Sequence, residues 1–279
     1  MDALTRCLAG LLLAAGCTFQ FFESAPFDEE YPVGEHDRLA LDGVAGDLEL
    51  RGLGETSAVL RGTRHALGRT RDEAMANLRH ADLEAREDGA TLRLVFDPPL
   101  ELVGAVDVEL DRVGDVPAHL GVSADLGDGD IAVDGIRGPL DLGTRDGDVR
   151  VVAGGEATVT VRARGGRAEI EARGGIDAEA DRDLELVARG RGGQPVAARA
   201  DGGDVLLDVE PQALRIRCHP GGGQVVVDEA LGAEVDASGE DLVLVSRGDA
   251  AGAREVEIWS NGGRIEIRAI LFEPAAAAR

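Results

Sequence analysis

The residues of this chain whose types and spacing best suit chemistry are aspartates beside glycines. Asp128, Asp130, Asp146, Asp148, Asp201 and Asp204 cluster at Asp-Gly corners. Some repeat proteins hold calcium between coils with such carboxylates, through the nonapeptide Gly-Gly-x-Gly-x-Asp-x-apolar-x. No stretch here matches it, since Gly221-Gly222-Gly223 is followed by Gln224. If repeats stack in register, the position after the corner glycine forms a column: Asp130, Asp148, Arg167, Asp183, Asp204, Gln224, Asp241, Arg264. Arg167 then sits between two aspartates, whereas Asp130 over Asp148 has no such relief. Two like charges about 4.8 Å apart repel by roughly 1 kcal/mol in water and several times that near a protein surface. Either these side chains splay into solvent or a cation sits between them. The solvated ladder is the expectation, with no metal and no other cofactor. Asp128, Asp130, Asp146 and Asp148 are the weak metal candidates.

Other chemistry finds less support. The histidines His36, His65, His80, His119 and His219 show neither His-x-x-x-His nor Glu-x-x-His spacing, so a zinc site has no pattern behind it. Ser123, Ser238, Ser246 and Ser260 lack the Gly-x-Ser-x-Gly elbow. There is no phosphate-binding Gly-x-x-x-x-Gly-Lys loop, and the chain contains no lysine. Cys218 stands alone in the body of the chain, beside the alternating Leu214/Ile216 strand, and reads as a small core residue. No catalytic residue is assigned.

The elements that carry these residues repeat. Gly129-Asp130-Ile131-Ala132-Val133 returns as Gly147-Asp148-Val149-Arg150-Val151, then as Gly166-Arg167-Ala168-Glu169-Ile170, and further as Gly203-Asp204-Val205 and Gly263-Arg264-Ile265. The interval is roughly 18–20 residues, the range of stacked repeats. Each copy alternates apolar and polar, the period of a half-buried strand. About nine residues earlier lies a second alternating strand, with Leu140/Leu142 before Val149/Val151 and Val256/Ile258 before Ile265/Ile267. Ala233/Val235 before Leu242/Leu244 follows the same rule. The pattern predicts an all-β, single-domain parallel β-solenoid (β-helix) of about 18–20 residues per coil. The alternative is an antiparallel β-sandwich or meander, with hairpins closed at corners such as Asp146-Gly147. Aromatics form 3% of the chain, and thin Val, Ile, Leu and Ala side chains suit a narrow coil better than a wide sandwich core.

The chain has 279 residues and a formal net charge of −24. That balance argues against nucleic acid and against electrostatic docking on anionic lipid. The charge is spread along the sequence and forms no acidic tail.

Residues 1–16 read as a signal peptide, with a short apolar run too brief to span a bilayer. It ends Leu13-Ala14-Ala15-Gly16-Cys17, which resembles a bacterial lipobox in which Cys17 becomes the lipidated first residue. Ala14 stands where lipoboxes usually carry Leu. Thr18 after the cysteine implies, by resemblance to Gram-negative sorting, the outer membrane. A plain secretory signal and a soluble periplasmic or secreted protein are the alternative. Residues 17–32 read as a tether, 33–115 as an irregular cap of the same domain, 116–270 as regular coils, and 271–279 as a tail. Within the cap, Thr70 to His80 is predicted helical, with Thr70 as cap, Asp72 and Glu73 in the first turn, and Ala74, Met75 and Leu78 as a partial apolar face. A hairpin turns at Asp88-Gly89.

The order of leader, Leu41-Asp42-Gly43-Val44-Ala45-Gly46-Asp47-Leu48-Glu49-Leu50, short helix, hairpin and Gly-Asp-Ile/Val repeats resembles the bacterial "putative adhesin" family of unknown function. The resemblance covers most of residues 36–270. It implies a β-helical envelope protein and carries no catalytic residues.

Together these readings predict a non-enzymatic, lipid-anchored cell-envelope protein, an adhesin-like interaction or structural module with an envelope protein or glycan as partner. One alternative is a β-helix enzyme acting on an envelope or extracellular polysaccharide. Such an enzyme requires a concave groove with clustered Asp, Arg and His. Another alternative is a scaffold that assembles end to end.

Overall fold

The computed structural model describes residues 21–53, 56–79, 82–95, 108–190, 193–210, 212–236, 242–246 and 253–270. The expected signal peptide, Cys17 and the 271–279 tail lie outside them. The first strands are β1 (Phe21–Pro32), β2 (Arg38–Ala45), β3 (Leu48–Leu53) and β4 (Ser57–Gly68), followed by helix α1 (Arg71–Leu78). Next come β5 (Glu84–Asp88), β6 (Thr91–Val95), β7 (Val108–Pro117), β8 (Gly121–Asp128) and β9 (Ile131–Asp134). The middle holds β10 (Leu140–Thr144), β11 (Val149–Val152), β12 (Val159–Ala163), β13 (Ala168–Ala172), β14 (Ile176–Ala180), β15 (Leu184–Ala188), β16 (Val196–Ala200) and β17 (Val205–Val209). The last are β18 (Leu214–His219), β19 (Val225–Val227), β20 (Ala233–Asp236), β21 (Leu242–Ser246), β22 (Arg254–Ser260) and β23 (Ile265–Ala269).

Among the described residues the protein is all-β with one α-helix, and its strands form two large mixed sheets, neither closed on itself. One sheet runs β1-β4-β7-β3-β9-β11-β13-β15-β17-β23-β19, and the other β5-β6-β2-β8-β10-β12-β14-β16-β22-β18-β21-β20. A single pair, Ala45 with Glu109, joins them. The central ladders are parallel and in register, so Ile131, Val149, Ala168, Leu184 and Val205 stand side by side. The strands flanking Asp146-Gly147 do not pair with each other: β10 lies in one sheet and β11 in the other. The Asp88-Gly89 corner does close a hairpin between β5 and β6, with Gly89 at φ 59.

One apolar core fills the space between the sheets. Val149, Val151, Val205, Leu207, Ile265 and Ile267 all point into it and are at most 1% exposed. Period-two alternation explains why, since successive side chains leave opposite faces. Each such side chain adds about 1.5–3 kcal/mol through burial. Cys218 occupies the same kind of slot beside Ile258.

Both ends of the stack depart from sequence order. β17 pairs with β23 and not with the next strand in the chain, and β16 pairs with β22. β18 and β19 lie outside that pair. At the other end β2 and β3 are interior, flanked by β6 and β7 on one side and by β8 and β9 on the other. The strands built from Ala233/Val235 and Leu242/Leu244 are therefore not another parallel repeat. They form an antiparallel pair, Val235 opposite Leu244, laid against β18. A connection of only residues 237–241 suits antiparallel neighbours, because parallel ones need a long crossover.

Residues 21–32, read from sequence as tether, form β1, paired along its length with β4 and burying Phe27. The 33–115 cap likewise contributes β2 and β3 to the regular ladders. Helix α1 has the predicted Thr70 cap, completed by Glu73 into a capping box. It buries Ala74 and Asn77, while Met75 is exposed. Residues 74, 77 and 78 share a face, and 75 lies about 100° away from it.

Candidate functional site

The Asp-Gly corners are built from two adjacent columns. The glycine column is steric: a Cβ on Gly129 (φ 122) would lie 2.4 Å from the Gly46 carbonyl oxygen, and one on Gly147 2.2 Å from that of Gly129. Only glycine lets neighbouring corners approach this closely. The following position carries the carboxylates. Asp47 Oδ1 accepts the backbone N–H of Asp130 at 3.0 Å, Asp130 Oδ1 that of Asp148 at 2.8 Å, and Asp148 Oδ1 that of Arg167 at 3.0 Å. Asp183 and Asp204 do the same for Asp204 and Arg264, at 2.9 and 2.7 Å. The carboxylates therefore neither splay freely nor converge. Each satisfies a corner N–H that the ladder itself leaves open.

The column order differs from the sequence expectation at one end. Arg264 follows Asp204, and Gln224 lies beyond Arg264, because β23 is inserted there. Asp241 is outside the described residues. Burial opposes ionisation of Asp148, but the Arg167 backbone N–H and guanidinium outweigh it and hold the carboxyl below its ordinary range. The Arg167 Nε–Asp148 Oδ2 distance is 2.8 Å. Asp128 and Asp146 are exposed corner residues whose backbone carbonyls accept from Gly46 and Gly129. Among the described residues no three His, Cys, Asp or Glu side chains converge as a metal cluster.

The chemistry-bearing concavity lies elsewhere, on the outer face of the second sheet. A cleft of about 770 Å³ is lined by Asp42, Arg93, Ser123, Asp125, Asp141, Gly143, Arg145, Arg162 and Arg164, among others. Parallel register explains the grouping. Gly143 of β10 stands between Asp125 of β8 and Arg162 of β12, so a missing side chain forms the floor. Arg162 pairs with Asp141 at 3.2 Å. Arg93 pairs with Asp42. Asp125, Arg145 and Arg164 make no ion pair or side-chain hydrogen bond with the described residues. Histidine is absent from the lining. The sequence shows each of these residues but not their convergence, which depends on strands far apart in the chain.

A second outward row was also hidden in the sequence. Arg199, Trp259 and His219 stand in register on β16, β22 and β18. The His219 ring stacks on Trp259 at 5.1 Å, and the Arg199 guanidinium lies 5.1 Å from the same ring. His219 Nε2 is 3.3 Å from Glu257. Both ring faces are thus covered from within the protein. Burial pushes the Cys218 thiol up to about 12, which leaves it protonated and unreactive at neutral pH.

Among the described residues no helix is long and apolar enough to cross a membrane. No family model and no curated protein matches the chain. Similar solved structures include a "putative cell adhesion protein" from Clostridium sporogenes, 14% identical, covering 88% of this chain and 100% of that one, with a TM-score of 0.37. A "putative adhesin" from Bacteroides fragilis is 14% identical over 88% of this chain and 97% of that one, with a TM-score of 0.39. A "putative lipid binding protein" from Parabacteroides distasonis is 11% identical over 87% of this chain and 97% of that one, with a TM-score of 0.28.

Proposed function

We propose that this chain is a non-enzymatic, adhesin-like interaction module of the bacterial envelope, anchored by lipid at Cys17, and that the cleft over Gly143 is its binding face. The regular part is a parallel β-solenoid in this reading, supported by the in-register ladders on both sheets. The observation that carries the functional reading is the cleft itself: a polar concavity on a sheet face. Hydrolysis by paired carboxylates needs two that are free to act on opposite sides of a bond. Asp42 and Asp141 are engaged by arginines, which leaves Asp125.

Two measurements test the reading. A strain lacking the chain loses attachment to surfaces or to other cells. Wild type restores it, and the cleft-filling variant Gly143→Phe does not. Equal restoration by both contradicts the cleft, and an undiminished deletion strain contradicts the adhesin-like role. For the anchor, Cys17→Ser moves the protein from the membrane fraction to the soluble periplasm. Its retention in membranes overturns lipidation.

A further inference from the structure

We propose that the cleft recognises an oligosaccharide bearing an isolated carboxylate, with Arg145 and Arg164 taking the carboxylate and Asp125 and Ser123 taking sugar hydroxyls. The inference rests on the cleft being the binding face and adds the class of ligand. Four arginines line this concavity in a chain of net charge −24. Two of them, Arg93 and Arg162, are neutralised by Asp42 and Asp141. Arg145 and Arg164 follow directly after the register pair Thr144 and Ala163. They therefore stand one residue beyond the ends of adjacent strands, where the Arg164 backbone N–H still bonds the Thr144 carbonyl at 2.9 Å, and neighbouring strands are about 4.8 Å apart. Both side chains are exposed and have no carboxylate within ion-pairing distance among the described residues.

Two like charges held side by side favour an anion between them, and the planar guanidinium fork matches a carboxylate. The remainder of the lining is specific to hydroxyls. Asp125 is an unengaged acceptor beside the Gly143 floor, and a Cβ at Gly143 would sit 3.3 Å from its Oδ1. Ser123 lies two residues along the same strand, on the same face. An apolar ligand finds little to bury here, and no aromatic side chain lines the cleft for stacking. The strongly negative chain disfavours a polyanion over its whole length, so a single carboxylate among neutral sugars fits better than a continuous polyuronate.

The test uses the purified full chain and two probes, a glucuronate-terminated oligosaccharide and its carboxyl-reduced neutral counterpart, titrated by calorimetry. The proposal expects the acidic probe to bind at least ten-fold more tightly. In Arg145→Gln/Arg164→Gln that preference disappears, and in Gly143→Phe both probes are lost, with unchanged thermal melts in each case. Equal binding of the two probes, lost in Gly143→Phe and untouched by the arginine variant, overturns the carboxylate and leaves the cleft standing. Binding that survives Gly143→Phe overturns both. No binding of either probe overturns the ligand class, while the attachment assay still judges the cleft.

Discussion

The Asp130 carboxylate accepts the backbone N–H of Asp148 at 2.8 Å, so the two acidic residues of neighbouring corners are joined by a hydrogen bond. The negative charge of one corner is spent on a backbone donor of the next. The same relation recurs from Asp47 to Asp130 and from Asp148 to Arg167. It gives aspartate at this corner a structural role that asparagine can also fill.

That role separates two substitutions. Asp130→Asn keeps an oxygen acceptor and removes one of two stacked charges, so its urea midpoint stays at or slightly above wild type. Asp130→Ala removes the acceptor and costs a few tenths to about 1 kcal/mol. Millimolar calcium moves neither curve. A rise in wild-type stability with calcium, absent in Asp130→Asn, would overturn the structural role and make the column a cation site.

Asp148 predicts a pH dependence. Its folded-state carboxyl lies below the ordinary value of 3.8, through the Arg167 contacts that outweigh burial. The unfolded chain therefore binds more protons as pH falls, and the stabilisation is lost on acidification. The difference between wild type and Asp148→Asn is full above about pH 4 to 5 and vanishes as pH drops through the folded-state value. Paired urea melts from pH 7 to pH 2 check this. A difference that grows on acidification has the wrong sign.

Arg112 is the least comfortable side chain of the described structure. It points inward from β7, across from Leu48 and Gly62, and is 2% exposed. Its three guanidinium nitrogens have no hydrogen-bond partner among the described residues. Burial pushes its pKa down to about 10. A buried charge without a partner destabilises the fold, and an apolar replacement of similar length relieves that cost. Arg112→Leu therefore raises stability by about 1–4 kcal/mol. A loss of more than about 1 kcal/mol would show that the arginine is paired in solution.

The period-two pattern and the recurring Gly-Asp phrase made the inward rows legible, and Val149, Val205 and Ile265 lie where the pattern put them. The strand Leu214–His219 alternates as its sequence suggests but fits the repeat interval less exactly, and its neighbours were not legible. Periodicity reports which face a side chain takes and says nothing about which strands lie side by side. The insertion of β22 and β23 before β18 and β19 leaves that alternation untouched, so no residue signals it. The cleft was hidden for the same reason. Gly143 reads as one more small residue until Asp125 and Arg162 are placed on either side of it. Phe27 shows the opposite failure: β1 contains Pro26 and Pro32, turn-like residues that an edge strand tolerates.

The order of strands at the C-terminal end decides how both sheets are built. Leu206 of β17 is paired with Glu266 of β23, and Val226 of β19 lies on the far side of Glu266. All three are only partly buried. Neighbouring strands are about 4.8 Å apart, within disulfide reach, and a strand two places away is about 9.6 Å distant, outside it. In a background with Cys7 and Cys17 replaced by serine, Leu206→Cys/Glu266→Cys should oxidise to an intramolecular disulfide under native conditions, and Leu206→Cys/Val226→Cys should not. Rapid bridging of the 206/226 pair with none at 206/266 would mean that the repeats stack in sequence order, and would contradict the arrangement described.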